Sequence, residues 1–221
     1  MKPDSIILDI DGTLWDSTPI VAAAWNEVVR ANPHISLQFT AQDLKQLFGR
    51  PLPAIADLAF PSLPEQERYA LIDDCCLREH TALSASDQDL LFPGVADTIR
   101  RLSKKYPLFI VSNCQSGYIE LFLEKSGLAS CITDFECPGS TGFSKGKNIR
   151  LVMERNHLKH SVYVGDIEGD QKASEEAGIP FCHAAYGFGT VQNPDFSIQS
   201  FPELLTLFRA VDKPLAKKIY I

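Results

Sequence analysis

The 221-residue sequence has no Cys-x-x-Cys spacing among its six cysteines, and its only adjacent pair is Cys75-Cys76. That excludes the common zinc-ribbon and thioredoxin-like patterns and points to free, buried thiols in a reducing compartment. Runs of lysine or arginine are also missing, apart from a short tail at Lys213 to Lys218, and the formal net charge is −7. A nucleic-acid surface is therefore not expected. An anionic small ligand is not excluded, because one bound cation and one lysine reverse a local field. No apolar stretch is long enough to cross a membrane. Near the N-terminus, Lys2, Asp4 and Asp9 surround an apolar strand too short for a signal-peptide core. A cytoplasmic chain follows by default. Internal repeats and low-complexity tracts are absent as well, so a solenoid or a disordered chain is not indicated.

What is present is an ordinary globular composition, 45% hydrophobic and 22% charged, in a chain long enough to bury a core and carry an insertion. Ser5 to Ile10 (SIILDI) is a β-branched run of the kind that forms a buried parallel strand, and it ends in Asp-Gly-Thr. Thr18-Pro19 then opens a helix with proline at its first position. From about Ser17 to Leu91 the pattern is helical throughout, broken by Pro33, Pro51, Pro53, Pro61 and Pro64. So long a stretch without strands reads as a helical subdomain rather than a loop.

After Phe92-Pro93-Gly94 the periodicity alternates. Helices are expected at Val95 to Lys105, Tyr118 to Lys125, Asn148 to Arg155 and Gln171 to Ala177, with strands at Leu108 to Asn113, Ser161 to Gly165 and Pro180 to Ala184. Such alternation implies an α/β fold, a doubly wound parallel sheet with helices on both faces.

Four short polar segments stand at the ends of these strands or in the loops between them. Asp9 and Asp11 lie two residues apart where the first strand ends, so that alternation is expected to point both side chains the same way, and ligands of open α/β sheets bind at that edge. Taken alone, Asp-Gly-Thr is equally good turn chemistry. Ser112-Asn113 ends the next strand and offers hydroxyl and amide donors suited to phosphoryl oxygens. Lys145, in TGFSKGKN, offers a cation, with Lys147 as its rival in the same loop. Asp166 and Asp170, in GDIEGD, follow a third strand and bring an all-oxygen donor set suited to magnesium.

In this order, DIDGTLWDS, SN, SKGKN and GDIEGD resemble the motifs of the haloacid dehalogenase superfamily of hydrolases over nearly the whole chain. The helical insertion is similar to the caps of its phosphoglycolate phosphatase and β-phosphoglucomutase relatives. The resemblance implies a Rossmann-like core from residues 1–16 and 92–221, an α-helical cap from 17–91, and hydrolysis of a small phosphorylated metabolite. It further implies that Asp9 attacks phosphorus to form an aspartyl phosphate and that Asp11 is the acid and base. Magnesium would be held by Asp9, the Asp11 backbone carbonyl and Asp166, with Asp170 orienting Asp166 and Lys145. Ser112, Asn113 and Lys145 would carry the phosphoryl charge. In the third motif the resemblance favours Lys145, although the sequence permits Lys147.

Arg50, flanked by Gly49 and Pro51 in LFGRPL, is expected on a cap loop, where it would read a second anionic or polar group of the substrate. Three alternatives share parts of this pattern. A phosphomutase has every motif but needs a further cap acid or base, for which His34 and His80 are the histidine candidates. A receiver-like phosphoacceptor lacks a cap, and a dehalogenase lacks the second acid that Asp11 supplies. The chain is expected to act as a monomer or weak homodimer.

Overall fold

The computed structural model describes residues 3–32 and 34–210, so Lys2, Pro33 and the Lys213–Lys218 tail lie outside the described residues. Among the described residues six strands form one parallel sheet: β1 (Ser5–Leu8), β2 (Leu108–Val111), β3 (Asp134–Glu136), β4 (Ser161–Gly165), β5 (Phe181–Ala184) and β6 (Phe196–Ile198). Their order is β3-β2-β1-β4-β5-β6, the doubly wound arrangement, with the reversal of strand order between β1 and β4. Each of β1, β2, β4 and β5 is buried along its whole length, as expected of parallel strands covered on both faces.

The register sorts the side chains into two layers. Ile7 is paired with Phe109 and Tyr163, and Tyr163 with Phe181. This row packs with Ile149 and Val152 of α8 (Lys145–Arg155) and Ala173 of α9 (Glu168–Ala177). The alternate row of Ile6, Leu8, Leu108, Ile110, Val162 and Val164 faces the opposite way, into the larger core. That core also takes apolar side chains of α5 (Val95–Leu102), α6 (Tyr118–Ser126) and α10 (Leu204–Ala210).

Between β1 and α5 the chain forms α1 (Thr18–Arg30), α2 (Ala41–Leu47), α3 (Leu52–Ala59) and α4 (Glu65–Ala85). Helix α1 packs on α2 and α4, α3 packs on α4, and α4 reaches α6. Edge-to-face rings hold the helices together: Trp25 and Phe39 lie 5.5 Å apart, Phe39 and Phe60 5.7 Å apart. The chain enters and leaves this helical segment through adjacent connections, in which Asp16 N–H donates to Leu90 O and Phe92 N–H to Leu14 O.

Several element bounds differ from the sequence reading. Helix α8 begins at Lys145 rather than Asn148, because Ser144 caps it by accepting the Lys147 N–H at 3.3 Å. Helix α9 begins at Glu168 rather than Gln171, because the carboxylate of Asp170, in its first turn, reaches back to accept the N–H groups of Asp166 and the N-cap residue Ile167. Strands β3 and β6, the single-turn helix α7 (Pro138–Thr141) and helix α10 have no counterpart in the sequence pattern. The cysteines are free thiols, all buried except the half-buried Cys131. No helix among the described residues is long and apolar enough to cross a membrane.

Candidate active site

Asp9 follows the last residue of β1 and donates its backbone N–H to Val164 O, which fixes it at the point where the strand order reverses. Its carboxylate is fully buried. The Lys145 ammonium donates to Asp9 Oδ1 at 3.0 Å and to Asp170 Oδ1 at 2.6 Å, tying the end of β1 and the first turn of α9 to the first residue of α8. Asp170 Oδ2 accepts the N–H groups of Asp166 and Ile167, so one carboxylate orients both the lysine and the loop that carries Asp166. Asp166 Oδ2 in turn accepts the Phe188 N–H at 2.7 Å, a contact that no motif announced.

Carboxylate oxygens of Asp9, Asp166 and Asp170 all lie within 4.8 Å of one another. Asp9 Oδ2 is buried with no hydrogen-bond partner among the described residues. An orphaned carboxylate oxygen in a cluster of three buried carboxylates fits a hard divalent cation. Burial pushes the Asp9 carboxyl up to about 7, the Lys145 charge opposing the rise and Asp170 adding to it. Burial also raises Asp166 well above the carboxylate range, with Asp170 and Asp9 pushing the same way. For Lys145, burial favours the neutral amine, but Asp170 and Asp9 outweigh it and hold the ammonium charged.

Two glycines let the backbone approach this cluster. Gly12 has φ +77°, and a Cβ there would stand 2.1 Å from Asp166 Oδ2, while a Cβ on Gly187 would stand 2.4 Å from Asp166 Cβ. Gly12→Ala is accordingly expected to displace Asp166 and lower turnover at least about 10²-fold, since misplacing a positioning group by an ångström costs that much. Turnover assays alongside circular dichroism check this, and a folded Gly12→Ala enzyme of normal rate contradicts it.

Asp11 is placed differently from the expectation that alternation sets it beside Asp9. The strand ends at Leu8, the period of two lapses, and Asp11 Oδ1 instead accepts from Trp15 Nε1 at 2.9 Å, Ser17 Oγ at 2.9 Å and Tyr118 OH at 2.8 Å. Its side chain therefore stands outside the three-carboxylate cluster. Burial raises this carboxyl to about 6, and the Tyr118, Ser17 and Trp15 donors oppose the rise. Trp15 and Ser17 belong to the first motif itself, yet nothing in its pattern marks them as the donors that hold Asp11.

Ser112 is buried at the end of β2, where its hydroxyl favours the ionised form of Asp9. Asn113 is next, and its Nδ2 donates to Gly49 O at 2.8 Å, bridging the sheet edge to the turn between α2 and α3. Lys147 is exposed, so the two lysines of the third motif are clearly separated by burial. Arg50 is exposed as well, with Nε donating to Gln46 O. It stands on the rim of a cleft of about 1060 Å³ whose walls include Lys45, Asn113, Lys145, Lys172 and Phe188. His34 is exposed in the connection after α1, and neither it nor His80 lines this cleft.

The sequence profile described as haloacid dehalogenase-like hydrolase matches residues 6–184. The chain belongs to that family. A phosphoglycolate phosphatase from Synechococcus elongatus is 30% identical over 91% of this chain and 95% of its own length. Another from Vibrio parahaemolyticus is 29% identical over 90% and 93%. Among solved structures, a haloacid dehalogenase-like family hydrolase from Streptococcus pneumoniae superposes with a TM-score of 0.81 at 20% identity, covering 94% of this chain and 99% of that one. That likeness concerns the fold. Membership of this hydrolase family sets the receiver-like alternative aside.

Glu79 on α4 is a buried carboxyl that no motif covers. Trp25 Nε1 donates to its Oε2 and Gln115 Nε2 to its Oε1, both at 2.8 Å. Burial raises Glu79 to about 7, the Gln115 and Trp25 donors opposing and Asp11 reinforcing the rise. A carboxyl raised in the folded state adds stability that is complete below its unfolded value, near 4.5, and lost as pH climbs through about 7. Glu79→Gln is therefore expected to melt higher than the parent at pH 8 and not at pH 4. Melting curves at the two values check it, and a pH-independent difference contradicts it.

Proposed function

We propose that this phosphoric monoester hydrolase cleaves a small phosphate monoester by attack of the Asp9 carboxylate on phosphorus, in the presence of magnesium. The observation that carries this reading is the Asp9 carboxylate, fully buried at the reversal of strand order, with one oxygen gripped by Lys145 and the other without a partner. Asp9, Asp166 and the Asp11 backbone carbonyl would hold the magnesium ion, with Asp170 orienting Asp166 and Lys145. When bound, the ion supplies positive charge that offsets the carboxylates and the phosphoryl oxygens.

In the first step an Asp9 oxygen bonds to phosphorus while the bond from phosphorus to the leaving oxygen breaks, giving an aspartyl phosphate and an alcohol protonated by Asp11. A water then attacks the phosphorus of the aspartyl phosphate, Asp11 takes its proton, and phosphate leaves with Asp9 regenerated. The raised Asp11 carboxyl suits both tasks near neutrality. Its Oδ1 is held by three donors, which leaves Oδ2 as the atom that gives and takes the proton. Lys145 and Ser112 bear the charge on the transferring oxygens, with Asn113 at the edge of the group.

Residues 17–91 would act as the cap, moving about the paired connections at Leu14–Asp16 and Leu90–Phe92. Arg50, exposed on the rim, would read only those distal anionic or polar groups long enough to reach the outer cleft. Neither histidine candidate for a mutase lines the cleft, so hydrolysis is the reading we adopt, and one chain holds every residue it needs.

The test is turnover of a generic aryl phosphate with and without metal. Hydrolysis is expected with magnesium, to disappear in excess chelator, and to return when magnesium is restored. Full turnover in excess chelator overturns the metal assignment, and no turnover under any of these conditions overturns the phosphatase reading.

A further inference from the structure

A small cavity of about 30 Å³ lies between the helical segment and the sheet edge, walled by Asp11, Trp25, Glu79, Asn113, Gln115 and Tyr118 among others. Its volume holds about one water-sized group. Asn113 and Cys114 line both this cavity and the larger cleft that reaches Lys145, so the two spaces meet at the end of β2.

The chemistry of the walls is one-sided. Among the described residues, two carboxyl side chains, Asp11 and Glu79, line the cavity, and no lysine, arginine or histidine does. Most of the polar hydrogens that face them go to protein acceptors: the Trp25 indole and one Gln115 N–H to Glu79, the Tyr118 hydroxyl to Asp11, and one Asn113 N–H to Gly49 O, which leaves the second amide hydrogens of Gln115 and Asn113. Asn113 Oδ1 is a buried acceptor without a partner among the described residues. Each Glu79 oxygen accepts one bond and has a second lone pair to offer. The cavity thus offers unfilled acceptors and no cation, and it suits a group that donates.

We propose that this cavity is the leaving-group subsite and that Glu79 is its specificity-determining residue, selecting short phosphate esters whose alcohol carries a hydroxyl or an ammonium group over those that carry a carboxylate. The inference rests on the phosphatase reading, in which Asp11 protonates the leaving oxygen and the remainder of the alcohol must therefore lie on the Asp11 side of phosphorus. Above about pH 7, where Glu79 is ionised, a carboxylate placed there meets that charge with no counter-charge in a desolvated space, where like-charge repulsion is weakly screened. A hydroxyl or ammonium satisfies Asn113 Oδ1 and a Glu79 lone pair, and a site built to accept such a bond discriminates strongly against ligands that cannot give it. Arg50 does not relieve the mismatch, because it lines the outer cleft and not this cavity.

The test uses the full chain with magnesium and four esters of matched size: 2-hydroxyethyl phosphate, 2-aminoethyl phosphate, 2-phosphoglycolate, and ethyl phosphate as the reference without a polar end. For the parent enzyme, kcat/KM relative to ethyl phosphate is expected to be at least about 30-fold higher for the hydroxyl and amino esters than for 2-phosphoglycolate. Glu79→Gln, which keeps an acceptor and removes the charge, is expected to shrink that ratio to about threefold, mainly by relieving the carboxylate ester. Glu79→Asp serves as a second variant should the amide fold poorly; it keeps the charge, and the ratio is expected to stay above about tenfold. A parent enzyme that hydrolyses 2-phosphoglycolate as well as or better than the other esters overturns the proposal. So does a Glu79→Gln enzyme that loses rate on all four esters alike, which would make Glu79 only a strap between α1, α4 and the loop after β2. Turnover of ethyl phosphate without the ranking overturns the subsite alone, whereas no turnover of any ester overturns the phosphatase reading beneath it.

Discussion

Replacing Asp9 with asparagine is expected to abolish turnover, by about 10⁴-fold or more, in a protein that stays folded. The amide has the shape of the carboxylate but is not a nucleophile toward phosphorus, so the step that makes the aspartyl phosphate is lost while the packing around it survives. Stability should follow the opposite course to activity. Asp9 is completely buried, and burial raises its carboxyl to about 7 against the Lys145 charge that opposes the rise. The parent therefore loses stability as pH climbs from the unfolded value, near 3.8, through about 7, because the folded chain has to give up a proton that it binds more tightly than the unfolded chain does. The asparagine variant escapes that loss, and Lys145 retains its 2.6 Å bond to Asp170. Melting curves without metal should show the variant gaining on the parent between pH 5 and about pH 8, since that range spans the raised carboxyl. A residual rate within about tenfold of the parent would remove Asp9 from the role of nucleophile.

The sequence shows the centre of this sheet because β1, β2, β4 and β5 are covered on both faces, and burial on both faces leaves uninterrupted apolar runs. The edge strands are hidden for the opposite reason. Asp-Phe-Glu at β3 and Phe-Ser-Ile at β6 are three residues each and partly exposed, so they carry neither length nor a clean alternation. Lys145, Asp166 and Asp170 were legible as polar residues at strand ends and loops, since the topology brings those ends together. What holds them was not. The Phe188 N–H on Asp166 is a backbone contact from a distant loop, and backbone donors leave no residue-type signal. Glu79 did leave one. The buried residues of α4 run Leu71, Ile72, Cys75, Cys76, Glu79 and Leu83, a helical stripe in which the glutamate occupies an apolar position. A charged residue on such a stripe has to find partners or a function, and Trp25 and Gln115 are partners that only the tertiary structure reveals.

The two lysines of the third motif should separate by activity, stability and metal response together. Lys145 is 4% exposed at the first position of α8, whereas Lys147 points to solvent. Lys145→Met removes the cation from among three carboxylates whose oxygens lie within 4.8 Å of one another. Deleting one partner of a buried ion pair costs about 3–5 kcal/mol, because the charge left behind is neither solvated nor paired. Losing an electrostatic donor to the transferring group costs about 10²–10³-fold in rate. The stability loss should be greatest at high pH and fade as pH falls, because Asp9 and Asp166, already raised by burial, become protonated and no longer need the lysine. Added magnesium should recover part of the lost stability by supplying charge to the same carboxylates, yet it should not recover turnover, since the lysine's place beside Asp9 Oδ1 stays empty. Lys147→Met should match the parent within about twofold in rate, as expected of an exposed side chain away from the site. Equal, small effects of the two substitutions would mean that neither lysine carries the phosphoryl charge, and a rate recovered by magnesium in Lys145→Met would assign the lysine to holding the carboxylates together rather than to the transferring group.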